Sequence, residues 1–304
     1  MNLYTPIILD TDIGSDIDDA MALAYLLREP RCELLGITTV SGEVEKRSRL
    51  CGVLCDAVDR EDIPIHSGIS TPLLHGPGQP NVPQYEAIAT TPHRREFPTG
   101  SVHWMGETIM SRPGEVTLLA IGPLSNVGAL FAAYPEAPRL LRQLILMCGV
   151  FTADNGHGPG AREWNALVDP VATAIVYKAR PPRHLSVGLE VTTRCVMNAK
   201  ELVNAMKGAE NLDRKVIDMA GVWMQHTDTI CFHDPLAAAA IFEPELLTTA
   251  TGTVTVAHSA DNLAGLTCFQ AAPADETGAA PHEIGVDVDR ERFFRLYMDK
   301  VATR

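Results

Sequence analysis

The sequence has no apolar run long enough to span a bilayer, no surplus of positive charge, no even set of cysteines and no composition break that would divide it. Each absence excludes something. A transmembrane helix needs about 20 consecutive apolar residues, and none are there. The opening MNLYTPIILD enters a strand pattern with no basic segment before an apolar one, so no signal peptide is expected. Lys and Arg number 25 against 38 Asp and Glu, a net charge of −13. That balance opposes general affinity for nucleic acid or for an anionic membrane, and leaves room for small ligands. Seven scattered cysteines cannot all pair within one chain. Cys51 and Cys55 stand at i, i+4 on a helical pattern rather than as C-x-x-C, so core thiols in a reducing cytoplasm are expected.

What is present is a regular alternation. Apolar runs that read as strands fall at 6–9, 33–40, 63–66, 117–121, 144–147 and 184–191, and helical spacing falls at 20–27, 45–58, 125–133 and 170–179. This is the rhythm of β-α-β units, and it predicts an α/β fold with a mostly parallel sheet, as one domain over 1–304. Two stretches break the rhythm, 68–100 and 152–162, both rich in Gly, Pro and His or Gly and Asn. Long irregular segments of this kind are either ligand loops or surface insertions.

The densest signal is PIILDTDIGSDIDDAMAL, where Asp10, Asp12, Asp16, Asp18 and Asp19 crowd the turn between a strand and a helix. The C-terminal ends of strands are where open α/β sheets place their ligands. Any one of Asp16, Asp18 and Asp19 could serve only as a helix N-cap. Asp10 and Asp12 lie upstream of that cap, and so many carboxylates repel one another unless a hard cation such as Ca²⁺ or Mg²⁺ binds them. An EF-hand does not fit, since the sixth position from Asp10 is Ser15 and the twelfth is Met21. An Asp-x-Asp phosphatase shares only those two acids.

Further polar groups follow strand-like runs or open helices: Ile121-Gly122-Pro123-Leu124-Ser125-Asn126, Glu163-Trp164-Asn165 leading to Asp169, and His233-Asp234-Pro235. Taken singly, Asp169 and Asp234 read equally as caps and Trp164 as core. Taken in order, DTDIGSDIDDA, ITTVSG, PGEVTLLAIGPLSNV, LILMCGVF, EWNALVDP and HDPLA resemble the inosine–uridine-preferring nucleoside hydrolase family over nearly the whole chain.

The resemblance implies a Rossmann-like open sheet, a bound Ca²⁺, and hydrolysis of a ribonucleoside to free base and ribose. It implies Asp12 as general base and metal ligand, Asp19 and Asp234 as metal carboxylates, and Ile121 as a carbonyl ligand. Asp18 and Asn165 would bind ribose hydroxyls, Glu163 the 5′-hydroxyl, and Met147 would pack near the sugar. Asp10 would buttress the loop, Asn126 would be a further supporting residue, and His233 would protonate the leaving base, its reference pKa of about 6.5 suiting neutral pH. A small-molecule ribonucleoside is the implied partner, and a homo-oligomer, dimer or tetramer, the implied assembly.

The chain also departs from the family pattern. Ser15-Asp16-Ile17 separates Gly14 from Asp18, adding Asp16 to the turn, and Glu43 stands where the family has Asn. In the loop before Glu163 spacing selects His157 and residue type selects Asn155, while His75 and His93 compete for the family's His-Gly segment. Thr192-Thr193-Arg194 lacks the family's Thr-His, and Trp223 and His226 are candidates for a base pocket. A relative acting on a modified nucleoside, or a non-catalytic ribose-binding protein, would carry the same core.

Overall fold

Strand β1 (Thr5–Thr11) is an interior strand of the sheet, paired on both sides, with Ile7, Ile8 and Leu9 wholly buried. Successive side chains on a strand point to opposite faces. Ile7 and Leu9 accordingly join one core layer and Ile8 the other, so a continuous apolar run suits a strand covered on both sides. The computed structural model describes residues 4–91, 96–152, 157–158, 160–206, 211–259, 262–271 and 282–301.

The other strands are β2 (Cys32–Thr39), β3 (Ile65–Ser67), β4 (Thr117–Ala120), β5 (Gln143–Leu146), β6 (His184–Ser186), β7 (Val196–Asn198), β8 (Thr229–Cys231), β9 (Leu247–Val256), β10 (Thr267–Ala271) and β11 (His282–Val288). Among the described residues a nine-stranded sheet runs in the order β10-β9-β11-β6-β5-β4-β1-β2-β3, with β7 and β8 pairing apart. From β11 to β3 every neighbouring pair is parallel, and β9 is antiparallel to β11 and β10. This is the expected α/β architecture with a mostly parallel sheet. It brings the C-terminal ends of β1, β2, β4, β5 and β6 to one edge. No helix among the described residues is long and apolar enough to cross a membrane.

Two helices finish the frame. The helix Asp18–Arg28 packs against His233–Phe242, and both carry small buried residues, Ala20, Ala22 and Ala24 on one and Ala237 to Ala240 on the other. Small side chains at a helix contact permit a short interaxial distance. The first turns of both helices thereby meet beside the strand ends.

Three sequence expectations change in detail. The run 184–191 is a strand only to Ser186, and Leu189–Thr192 forms one helical turn. The reason is Gly188, where a Cβ would stand 2.8 Å from the Gly149 carbonyl oxygen; the chain turns there against a neighbouring loop. Strand β3 begins at Ile65, two residues later than its apolar pattern. The irregular stretch 68–100 contains a 3-10 helix, Pro83–Ile88, and Thr99 bridges Ser67. Cys51 and Cys55 are buried free thiols, as their spacing suggests.

Beneath the sheet, His184 stacks on Tyr177 at 5.0 Å and meets His282 edge-on at 4.7 Å. His282 is satisfied, accepting from Val254 N at 2.9 Å and bonding Tyr177 O at 2.9 Å, whereas neither ring nitrogen of His184 has a partner. Burial holds His184 well below its ordinary range and pulls His282 down to about 4. Both stay neutral in the fold, while the unfolded chain protonates them below about 6.5. The unfolded state then binds more protons between about pH 6.5 and 4, and stability falls as pH falls through that window. His184→Phe keeps the stacking and removes one such proton, so the loss between pH 6.5 and 4 should flatten by up to ~1.4 kcal/mol per pH unit. Urea unfolding at a series of pH values measures it.

Candidate metal and ligand site at the strand ends

At that edge of the sheet lies a cavity of about 330 Å³, a volume within reach of small-molecule pockets. Asp12, Asp16, Asp18 and Asp19 line it from the first turn, Ile121 and Met147 from the ends of β4 and β5, and Glu163, Asn165, His233 and Asp234 from later elements. The cluster expected from the sequence is thus one place in space.

Asp18, Asp19 and Asp234 form its tightest group, offering carboxylate oxygens that all lie within 4.8 Å of one another, all buried. Thr11 Oγ1 donates to Asp19, and the Asp234 N–H donates to Asp18 Oδ2 at 3.3 Å. Burial first, and then mutual repulsion, push all three well above the usual carboxylate range. Asp12 stands on the same cavity outside this trio. A Cβ at residue 122 would fall 2.8 Å from Asp12 N and 2.9 Å from its Oδ1, so Gly122 is what lets β4's end approach it. Asp16, on the extra step of the turn, is pushed up to about 6 by burial.

Asp10 and Asn126 do not line the cavity; they brace it. Asn126 Nδ2 donates to Asp10 Oδ1 at 2.7 Å and to Thr39 O at 3.0 Å, while its Oδ1 accepts from Ile69 N at 2.9 Å. One amide therefore ties β1, β2 and the chain after β3. Burial raises Asp10 to about 7.

Glu163 caps the helix Trp164–Val168, with Oε1 accepting from Asn165 N at 2.7 Å and Oε2 from Ala166 N and Gly149 N at 3.0 Å. Asn165 Nδ2 donates to Ile121 O at 2.8 Å and Met147 O at 3.0 Å, joining the ends of β4 and β5. His233 Nδ1 sits 2.8 Å from Thr192 Oγ1. Burial, and then His157, pull His233 down to about 4, so its imidazole is neutral near pH 7 and not the partly charged group its reference value suggests.

Other sequence candidates lie elsewhere. Glu43 is half-exposed, bonded to Lys46 Nζ at 2.6 Å, and neither it nor the exposed His157 lines the cavity. His75, Trp223 and His226 are also outside the lining, and Trp223 Nε1 donates to Thr229 O at 3.1 Å. Asp169 is a cap, accepting from Ala172 N at 2.9 Å and from Ser125 Oγ and Leu73 N at 2.7 Å. His93 and Asn155 fall outside the described residues.

The reverse surprise is Trp164. It reads as core, yet it is 47% exposed and faces the cavity. Gln79, Arg162 and Leu189 also line the space. They come from irregular segments or a helical turn hidden inside a strand pattern, so no periodicity marks them.

Oxygen-only donors, buried, of one sign and drawn together, fit a hard divalent cation. Asp18, Asp19 and Asp234, with Asp12 and the Ile121 carbonyl on the same cavity, are the residues available to hold one.

Comparison with known proteins agrees in both sequence and shape. The profile described as inosine-uridine preferring nucleoside hydrolase matches residues 7–295. Non-specific ribonucleoside hydrolase RihC of Salmonella enteritidis is 31% identical over 274 residues, 86% of each chain. Uridine nucleosidase 1 of Arabidopsis thaliana is 28% identical over 269 residues, 83% of this chain and 78% of its own. Among solved structures, the plant nucleoside hydrolase PpNRh1 superposes with a TM-score of 0.84 at 27% identity, covering 99% of both chains.

A cation that binds only the folded state stabilises it by mass action, by about 2.7 kcal/mol at a hundredfold excess over Kd. For a chain of 304 residues, adding calcium to chelator-treated protein should therefore raise Tm by roughly 4 °C. Asp234→Asn removes one repelling charge, so Tm in chelator should rise above wild type while the calcium-dependent increase disappears. Calorimetric scans of both proteins with and without calcium give the answer, and an unchanged calcium response in the variant would exclude Asp234 as a ligand.

Proposed function

The chain belongs to the inosine–uridine preferring nucleoside hydrolase family, and from that premise we propose that this cavity hydrolyses the N-glycosidic bond of a ribonucleoside with the help of Ca²⁺. The observation that supports it most is the meeting of Asp18 and Asp19 with Asp234, from helices far apart in the chain, on one cavity that also holds Asp12, Asn165 and His233.

In this reading Asp19, Asp234, Asp12 and the Ile121 carbonyl hold the cation. When bound, such a cation would lower the pKa of a nearby water and supply positive charge where the sugar hydroxyls are held. Asp18 and Asn165 orient the 2′- and 3′-hydroxyls, Glu163 meets the 5′-hydroxyl with capacity left beyond its capping bonds, and Met147 packs beneath the sugar. Fixing the ribose in this way turns a loose encounter into an oriented one. Asp12 takes a proton from the attacking water as its oxygen bonds to C1′. The C1′–N bond breaks and its electron pair leaves with the base, as positive charge develops on the sugar in the manner of glycosidases. The surrounding carboxylates favour that charge.

His233 donates to the departing base as a neutral N–H, since the site holds its imidazole uncharged near pH 7. A Thr192 hydroxyl proton directed at Nδ1, across their 2.8 Å contact, leaves the ring proton on Nε2 for the base.

Asp12→Asn should lower kcat for ribose release by ~10²–10⁴, with a folded protein. His233→Ala should lose about 10² on ordinary nucleosides and little on a p-nitrophenyl riboside, whose leaving group needs no proton. Reducing-sugar release from a panel of ribonucleosides tests both and names the base. Absence of ribose from every substrate, with calcium still bound, would instead indicate a ribose-binding protein on this fold.

A further inference from the structure

Arg47, in the helix Val44–Asp56, is the bulkiest of the wholly buried side chains. It is not among the residues that line the cavity. Among the described residues its guanidinium hydrogen-bonds no carboxylate oxygen; it binds five main-chain carbonyls and one hydroxyl. Nε donates to Ser41 O at 2.7 Å. Nη1 donates to Asp12 O, to Ile13 O at 2.9 Å and to Ser15 Oγ at 3.1 Å. Nη2 donates to Gln79 O at 2.8 Å and Asn81 O at 3.3 Å.

Those acceptors belong to three separate segments: the acidic turn, the end of β2, and the irregular stretch that carries cavity-lining Gln79. The same segments are tied to one another beside it. Gln84 N donates to Gly14 O at 3.1 Å, Ser15 Oγ donates to Asn81 O at 3.2 Å, and Gln79 N donates to Ser41 Oγ at 2.9 Å. Ser41 adopts φ 70°, a left-handed conformation uncommon for a side chain with a Cβ, and this geometry is held where its carbonyl meets Arg47. A planar fork of five N–H groups can serve acceptors in several directions at once, which an ammonium on a flexible stem cannot. Asp12 and Asp19 also lie close enough for their charges to act on Arg47.

We propose that Arg47 is the positioning residue of the acidic turn: it clamps the carbonyls of Asp12 and Ile13 to the ends of β2 and to residues 79–81, so that the carboxylates face the cavity in cation-binding geometry before any cation arrives. It rests on the reading of the acids as a cation site. A permanent positive charge from within the protein, rather than from the ligand side, also offsets part of the repulsion on the turn.

The test uses full-length protein and separates geometry from charge. Arg47→Lys keeps the charge and loses the fork. Calcium affinity by titration calorimetry should fall tenfold or more, kcat for ribose release should fall by a larger factor than KM changes, and amide exchange at Gln79 and Gln84 in chelator should accelerate. Asp213→Asn, which breaks the buried pair with Arg28 (2.6 Å), is the comparison for general destabilisation, and its calcium affinity should match wild type. If Arg47→Lys does not fold, Ser41→Ala removes only the tie to Gln79 N and should shift calcium affinity and Gln79 exchange in the same direction by a few fold. Calcium affinity within twofold of wild type, with unchanged exchange, overturns the role of Arg47. A wild-type protein that binds no calcium overturns the cation reading instead, and the exchange rates alone then decide the clamp.

Discussion

Like charges confined in a buried space set the terms for this structure. Asp12, Asp16, Asp18, Asp19, Glu163 and Asp234 share one cavity, and among the described residues Arg162 is the one Lys or Arg that lines it. Burial alone pushes such acids toward the neutral form, and each neighbour adds to the push. Nothing in their own chemistry holds them together. They are assembled by the apolar framework around them, where β1 is gripped between β4 and β2 and two alanine-rich helices lie close enough to bring Asp19 and Asp234 together. Stability elsewhere in the fold is spent on a site that would relax if released, and a bound cation returns part of it.

The brace around the cavity uses hydrogen bonds in preference to opposite charge. Asn126 binds Asp10 and two neighbouring segments, Asn165 binds the carbonyls at the ends of β4 and β5, and Glu163 spends both oxygens on backbone N–H groups. Each of these residues is a structural fastening and a cavity wall or its support. The choice between cap and site, which a single position poses in the sequence, is therefore a false one at Glu163. At Asp169 it is a real one, and the cap holds: its oxygens are taken by Ala172, Ser125 and Leu73, and it does not line the acids' cavity.

How far the sequence reaches follows from the same physics. Strands buried on both faces write themselves as apolar runs, so β1, β2, β4 and β5 are legible, and the acids are legible because carboxylates rarely crowd a strand end without cause. The helical turn Leu189–Thr192 is hidden because Val187, Leu189 and Val191 continue the apolar run of β6, while the Leu189 N–H donates at 3.1 Å to the Gly149 carbonyl, which is remote in sequence. Trp164 misleads for a related reason: its neighbours Asn165 and Ala166 are buried, but the helix that starts there aims it outward. Arg47 is illegible altogether. In EVEKRSRL it looks like one more charge on a solvated helix face, and only its carbonyl partners from distant segments explain how it is buried.

On the proposed reading, the same division would separate sugar chemistry from base recognition. The groups that would meet the ribose and the cation stand at the ends of parallel strands or in the first turns of helices, fixed by the sheet. The remaining lining, Gln79, Arg162, Trp164 and Leu189, comes from connections between those elements. A strand end can hold an acid in place across relatives because a packed core defines it, whereas a connection can change length and composition at little cost to that core. Asp16 belongs to the second class by origin, since it arrives on an extra step of the turn, and to the first by position, since it faces the cavity among the acids. A carboxylate there, beside an exposed indole and a guanidinium from Arg162, makes the wall of this cavity amphiphilic, with one face for stacking and charged groups for polar edges. On the proposed reading, preference among bases would be set by which polar edge those groups can reach with the ribose at the strand ends.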